Sequence, residues 1–412
     1  MAANRIPPEI LRQIFSNVEI TDLHSLSMAN PRWYDLTQEV LYKAPFLFPV
    51  SLTQFLRTVL TPGCDILASH VQTLTVNWQS YYAEPIGPVE LPLFRTAAQN
   101  LGLSYPLTLT DDHVALLLHL LPRVNKLHLW PADTPSTNSD FLGVNNGRHR
   151  LPLALRSVTH LSCTWVSNQR GVTSDMLLTI LTLPNIQTIE VQILDEIDDP
   201  YPAATDATSS VSTLHISYSE ISIPSLGRIL LVPRALTHLS FASTITTTSI
   251  DLGELHSALE PVRNTLQMLE LITETGNTWT PGPGSTRAAS QSFSEWPMLS
   301  VLRCPLRLLL GDCHGMGARH LWDVLPLGLC DLEVWMNRDW SSGEVVSEFV
   351  ALMGWKEEVV PRLRRGAVGL DLWTPEVLWQ RLRSACEIAD VELVSEGTFQ
   401  LVGVGGEELL FM

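Results

Sequence analysis

A thiol beside an imidazole is the most reactive pairing in this sequence. Cys313 and His314, in the run Gly311-Asp312-Cys313-His314-Gly315-Met316-Gly317 with His320 close by, could supply a nucleophile and its base or two ligands of a metal. A metal centre needs further ligands at ligand spacing, and no second pair lies near, so the stretch reads as a glycine-rich turn. The chain has no G-x-S-x-G elbow, Walker loop, H-E-x-x-H helix or dinucleotide fingerprint. Gly403, Gly405 and Gly406 sit in a tail without a following helix to hold a phosphate. The six cysteines (Cys64, Cys163, Cys304, Cys313, Cys330 and Cys386) contain no C-x-x-C pair and read as reduced, buried thiols. The expectation is a protein with no catalytic residues, no metal and no cofactor.

Binding is therefore the chemistry to look for. A net charge of -17 without a compensating Lys/Arg cluster repels a phosphate backbone, so nucleic acid is not an expected partner. With 45% hydrophobic and 17% charged residues the chain has the composition of an ordered, core-rich fold. Its longest apolar runs, such as Val114 to Leu121 broken by His119, fall short of the ~20 residues that span a bilayer. Arg5, Glu9 and Arg12 interrupt what would be a secretion signal. A soluble intracellular protein, cytoplasmic and/or nuclear, with no membrane partner is expected.

Ile6 to Ala44 reads as three short helices. Pro7-Pro8-Glu9 opens the first, where proline suits the first turn and glutamate complements the dipole. Ile10, Ile14 and Val18 share a face, and Leu11 and Phe15 widen it enough to serve both an internal core and an external partner. Thr21 or Asp22 is placed to cap a second helix carrying Leu23, Leu26 and Met28. Asn30-Pro31-Arg32-Trp33 starts a third, with Asn30 as cap and Pro31 at the first helical position. A unit of ~40 residues buries too little surface to stand comfortably alone, which points to docking.

In order and spacing, Ile6-Pro7-Pro8-Glu9-Ile10-Leu11, Ile14-Phe15, Asp22-Leu23-x-x-Leu26 and Arg32-Trp33-Tyr34-Asp35-Leu36 resemble the F-box family. Ala29-Asn30-Pro31 stands where many members have Val-Ser. The resemblance implies binding to a Skp-type adaptor subunit, and through it to a cullin-RING ubiquitin ligase, with Ile6, Pro7, Glu9, Ile10, Ile14, Leu23, Leu26 and Trp33 as contacts.

Beyond this segment a short pattern, apolar-x-x-Leu-x-apolar, recurs with centres at Leu74, Leu127, Leu161, Ile189, Leu214, Leu239, Leu269, Leu302, Leu332 and Leu370, and faintly at Val391 to Val394. After a first interval of 53 residues the centres lie 25 to 38 residues apart. Helical stretches intervene, among them Asp112 to Leu121, Ser174 to Leu183, Ser225 to Val232, Leu252 to Leu259 and Glu344 to Met353. Three segments interrupt: Trp78 to Thr110 and Thr275 to Glu295 read as surface loops, and Asp195 to Ser210 as an acidic one. A strand-plus-helix unit of this length resembles the irregular leucine-rich repeats that follow the F-box in many fungal F-box proteins. The rival reading is a doubly wound sheet.

The expected fold class is α/β, a short all-α three-helix F-box followed by an irregular leucine-rich-repeat α/β solenoid. Its expected segments are 1–45 (F-box), 46–110 (linker helix and first irregular repeat), 111–395 (repeats) and 396–412 (tail). In each strand the two apolar residues enter the core and the residue between them faces outward. The outward series is Thr75, His128, Ser162, Glu190, His215, Ser240, Glu270, Arg303, Glu333 and Asp371, with Trp130, Trp335 and Trp373 just beyond in three copies. Tryptophan beside acid suits a protein target bearing basic and apolar groups, so Glu270, Glu333, Trp335, Asp371 and Trp373 are the expected substrate-binding residues. The function these features imply is recruitment of an unidentified protein substrate to an SCF-type cullin-RING ubiquitin ligase; the alternative is a non-ligase interaction scaffold on the same repeats.

Overall fold

The computed structural model describes residues 6–77, 90–103, 110–130, 152–164, 174–192, 209–219, 221–243, 252–273, 292–310, 319–335, 340–370 and 374–394. They divide into two compact units, residues 1–170 with 183–187 and residues 171–182 with 188–412.

The first unit opens with α1 (Pro8–Phe15), α2 (Ile20–Ala29) and α3 (Pro31–Leu41), followed by β1 (Phe46–Leu47), α4 (Pro49–Leu60), α5 (Asp65–His70), β2 (Thr73–Asn77), α6 (Glu90–Asn100), α7 (Thr110–Leu120), β3 (Lys126–Trp130), α8 (Leu153–Ser157) and β4 (His160–Cys163). Its strands pair in parallel and in sequence order, with Leu74 beside Leu127 beside Leu161.

The second unit contains α9 (Ser174–Leu181), β5 (Thr188–Gln192), β6 (Thr213–Ser219), α10 (Ile223–Leu230), β7 (His238–Ser243), α11 (Leu252–Leu259), β8 (Met268–Thr273), β9 (Val301–Pro305), α12 (Leu306–Leu310), α13 (Leu321–Val324), β10 (Asp331–Trp335), α14 (Ser342–Val359), β11 (Arg365–Gly369), α15 (Glu376–Ile388) and β12 (Glu392–Val394). Here too each strand lies parallel to the next in the chain, from β5 to β12. A doubly wound sheet reverses its strand order at a switch point, and neither unit contains such a reversal.

The alternation along the strands does what the spacing predicts. In β2, β5 and β10 every second residue is buried, and the nine centres from Leu74 to Leu332 are at most 1% exposed. Burying one such side chain contributes about 1.5–3 kcal/mol. A second device recurs at the residue two before most centres. Its carbonyl accepts from two successive N–H groups of the next strand, as Gln72 does from Asn125 (2.8 Å) and Lys126 (3.1 Å), Gln267 from Ser300 (2.8 Å) and Val301 (3.0 Å), and Ser300 from Cys330 (2.8 Å) and Asp331 (3.0 Å). Hydroxyls at this position reinforce the ladder: Thr237 donates to Ser212 O at 2.9 Å and Ser300 to Gln267 O at 3.1 Å. Each carbonyl thus uses both lone pairs, which leaves few unsatisfied backbone groups along that edge.

Four expectations need correction. The repeat expected at Leu370 lies four residues earlier, because β11 pairs Gly366, not Leu370, with Leu332. Gly366 occupies a leucine position because Phe349 of α14, fully buried, fills the space: a Cβ on Gly366 would stand 2.8 Å from its Cζ. The stretch Trp78 to Thr110 is not all loop, since α6 lies within it and buries Phe94 and Ala98. The end of the Thr275 to Glu295 stretch is core as well, where a short 3-10 turn, Phe293–Glu295, buries Phe293 beside Trp296. Finally, α2 begins at Ile20 with Glu19 at the cap position, so neither Thr21 nor Asp22 caps it. The acidic segment around Asp195 lies outside the described residues.

Candidate interaction surfaces

The three N-terminal helices enclose a small core of Leu11, Phe15, Leu23 and Leu36, against which Ile6, Val18, Leu26, Trp33, Val40 and Leu41 pack. Phe15 and Trp33 meet edge to face with centroids 6.1 Å apart. Polar links lock the bundle. Arg12 Nε donates to Glu39 at 2.8 Å, joining α1 to α3, and Arg32 donates to the carbonyl of Ile6 at 3.0 Å. Asn30 caps α3 by accepting from the Arg32 N–H at 2.9 Å, with Pro31 at the first helical position. Asn30→Ala should lower stability by about 1 kcal/mol, and Asn30→Gly by only a few tenths; thermal melts of the two variants side by side check the ordering.

This core leaves several large apolar side chains outside. Ile10 and Ile14, one turn apart on α1, are 45% and 47% exposed, and Met28 and Tyr34 reach 78% and 49%. Pro7 and Glu9 are exposed beside them. Leu23, by contrast, is 3% exposed and belongs to the internal core, and Ile6, Leu26 and Trp33 are half-buried against it. Of the expected contact set, Pro7, Glu9, Ile10 and Ile14 therefore face outward, while Leu23 holds the helices that display them. Met28 and Tyr34, which the sequence places on the second helix and in the Arg32 to Leu36 motif, were not among the expected contacts.

On the sheet of the second unit, Glu190, His215, Ser240, Glu270, Arg303 and Glu333 stand in register on the outward side. Arg303 sits between two acids: its Nη1 is 3.5 Å from Glu270 and its Nε 3.4 Å from Glu333. Ser240 donates to the other oxygen of Glu270 at 2.7 Å. Glu270 and Glu333 are thus held by a guanidinium rather than standing as bare charges. Arg365 and Asp331 repeat the arrangement one row away at 3.1 Å. Burial draws His215 below its ordinary pKa, opposed by the neighbouring carboxylates Glu190 and Glu270 and assisted by His238. Half-buried Trp335 lies in register with Pro305 and Gly369. Asp371 and Trp373 lie outside the described residues, and the corrected register of β11 removes the alignment that placed Asp371 beside Glu333.

The thiol–imidazole stretch yields one described member. His320 stacks on Trp322 with centroids 3.9 Å apart, and its Nδ1 is 3.0 Å from Glu348 of α14; Cys313 and His314 lie outside the described residues. Among the described residues no group of three His, Cys, Asp or Glu side chains has metal-holding geometry, and no helix is long and apolar enough to cross a membrane.

Residues 3–47 match a family model described as F-box-like. The N-terminal helices are accordingly an F-box-like domain, placed ahead of the parallel strands and helices of the other described residues. No curated protein matches the sequence. A chain in the crystal structure of the Rad7 and Elc1 complex in yeast aligns over 88% of both chains at 13% identity, with a TM-score of 0.31.

Proposed function

We propose that this protein is a substrate-recruiting adaptor of an SCF-type cullin-RING ubiquitin ligase. The F-box-like domain docks on a Skp-type subunit, and the outward sheet faces, read as irregular leucine-rich repeats, hold a protein target. No reaction occurs on the chain itself; holding the target beside the loaded enzyme raises its effective concentration there. Its place of action in this reading is the cytoplasm and/or the nucleus. The observation that carries the proposal is the exposure of Ile10 and Ile14 within the segment that matches the F-box-like model. An apolar patch on a module with so small a core fits a surface completed by a partner.

The test is capture of the purified chain on an immobilised Skp-type subunit, comparing the intact protein with Ile10→Asp, Ile14→Asp. Hot-spot residues at an interface are worth 2 kcal/mol or more, so the variant should bind about 30-fold or more weakly with an unchanged melting temperature. Failure of the intact, folded protein to bind would leave a repeat scaffold without a ligase.

A further inference from the structure

The outward face of the first unit has a different chemistry from the chain as a whole. Strand alternation turns Thr75 of β2 and Lys126, His128 and Trp130 of β3 away from the core. The parallel register sets Phe46 of β1 level with Thr75 and His128, and His160 of β4 level with Lys126. In a protein of net charge -17, the strands of this face carry no Asp or Glu among the described residues, and they gather an exposed lysine with two imidazoles whose centroids are 5.3 Å apart. Aromatic rings rim its β1 edge. Phe46, 45% exposed, meets Trp130 edge to face at 5.5 Å and lies 4.9 Å from Phe48, itself 52% exposed.

We propose that this face binds an acidic peptide segment carrying an apolar anchor. The anchor seats against Phe46 and Trp130, and its flanking carboxylates meet Lys126, His128 and His160. Exposed aromatic clusters are disfavoured on a monomer's surface unless something covers them, and aromatic residues lead among those that dominate binding energy. Imidazole N–H groups donate to carboxylates whether or not the ring is charged. Cationic character without a matching acid on the strands of one face of an acidic protein selects an acidic partner by complementarity. A nucleic acid fits less well, because one fixed cation does not offset a phosphate at every nucleotide. The inference rests on the adaptor reading only in making the peptide part of a ligase target; the binding itself belongs to this face.

Fluorescence anisotropy of the full-length chain tests it. One labelled probe alternates Glu and Asp around a central Leu-Phe; a second carries Lys in place of every acid; a third is a single-stranded oligonucleotide of similar length. The acidic probe should bind saturably, and Lys126→Glu and Phe46→Ser should each weaken it about tenfold while melting like the parent; Lys126→Glu, which lies outside the F-box-like segment, should still be captured by the Skp-type subunit. Absence of saturable binding, preference for the basic peptide or the oligonucleotide, or indifference to both variants would overturn the proposal. Acidic-probe binding with no capture by the Skp-type subunit would overturn the adaptor reading alone.

Discussion

Gly366→Leu, which restores the residue that the repeat calls for at that position, is expected to destabilise the second unit. In the neighbouring strands the same position is Leu332 on one side and Leu393 on the other. At Gly366 the space belongs to Phe349, whose Cζ and Cε1 would lie 2.8 and 3.1 Å from even a bare Cβ. Overpacking a filled site costs about 1–3 kcal/mol. Phe349→Ala, which empties that site, should cost about 3–5 kcal/mol. The two changes together should cost clearly less than their sum, because the new leucine enters the volume the ring vacated; coupling between touching residues runs to about 0.5–3 kcal/mol. Melting temperatures, with hydrogen exchange at α14 and β11 as the local readout, check the cycle. Strictly additive costs would show that Phe349 does not stand in for the missing side chain.

That substitution also marks where the sequence stops being readable. Nine repeat centres could be found because Leu-x-apolar alternation is a local signal, and strand pairing preserved their register. The tenth could not: a glycine at the centre is meaningful only beside a phenylalanine from the preceding helix, while Leu370-Asp371-Leu372 offered a false copy of the pattern. Helix α6 was hidden by Pro85, Pro88 and Pro92. Pro92 falls in the first turn, where a missing N–H breaks no helical bond, and the Phe94 and Ala98 pair that anchors the helix is too short a periodicity to outweigh the prolines. The F-box-like domain was legible in outline from its caps and apolar spacing. Which of its apolar residues point inward was not, since Ile14 and Leu23 are equally hydrophobic and only the packing of three helices separates them. On the sheet, Arg303 already stood between Glu270 and Glu333 in the outward series, but that its guanidinium reaches both acids is decided only by the packing of the three strands. Charge that looks free along a sequence can be matched across a sheet.

Acid should weaken both units well before carboxylate protonation is complete, chiefly through His113, buried in the first unit, and His256, half-buried in the second. His113 of α7 is 4% exposed, its Nε2 is enclosed without a hydrogen-bond partner, and Phe94 meets its ring edge to face at 5.6 Å. Burial lowers its pKa to about 4. His256 of α11 packs against Phe293 at 4.7 Å and Trp296 at 6.1 Å; burial again brings it to about 4, with Glu260 pulling up and Arg263 pushing down. In the unfolded chain both take up a proton near the ordinary value of about 6.5. Between pH 6.5 and 4 the unfolded state therefore holds more protons than the folded one. Stability is full above about 6.5 and falls as pH drops, by about 1.4 kcal/mol per unit for each histidine, or roughly 3 kcal/mol each over the window. Against a total stability of about 5–15 kcal/mol that is a large loss. His113→Phe and His256→Phe keep an aromatic ring in each place and remove the titration, so the double variant should show a much smaller drop in melting temperature between pH 7.5 and 5. The carboxylates contribute equally to both proteins, so a parallel drop in parent and variant would assign the acid sensitivity to them and not to the two rings.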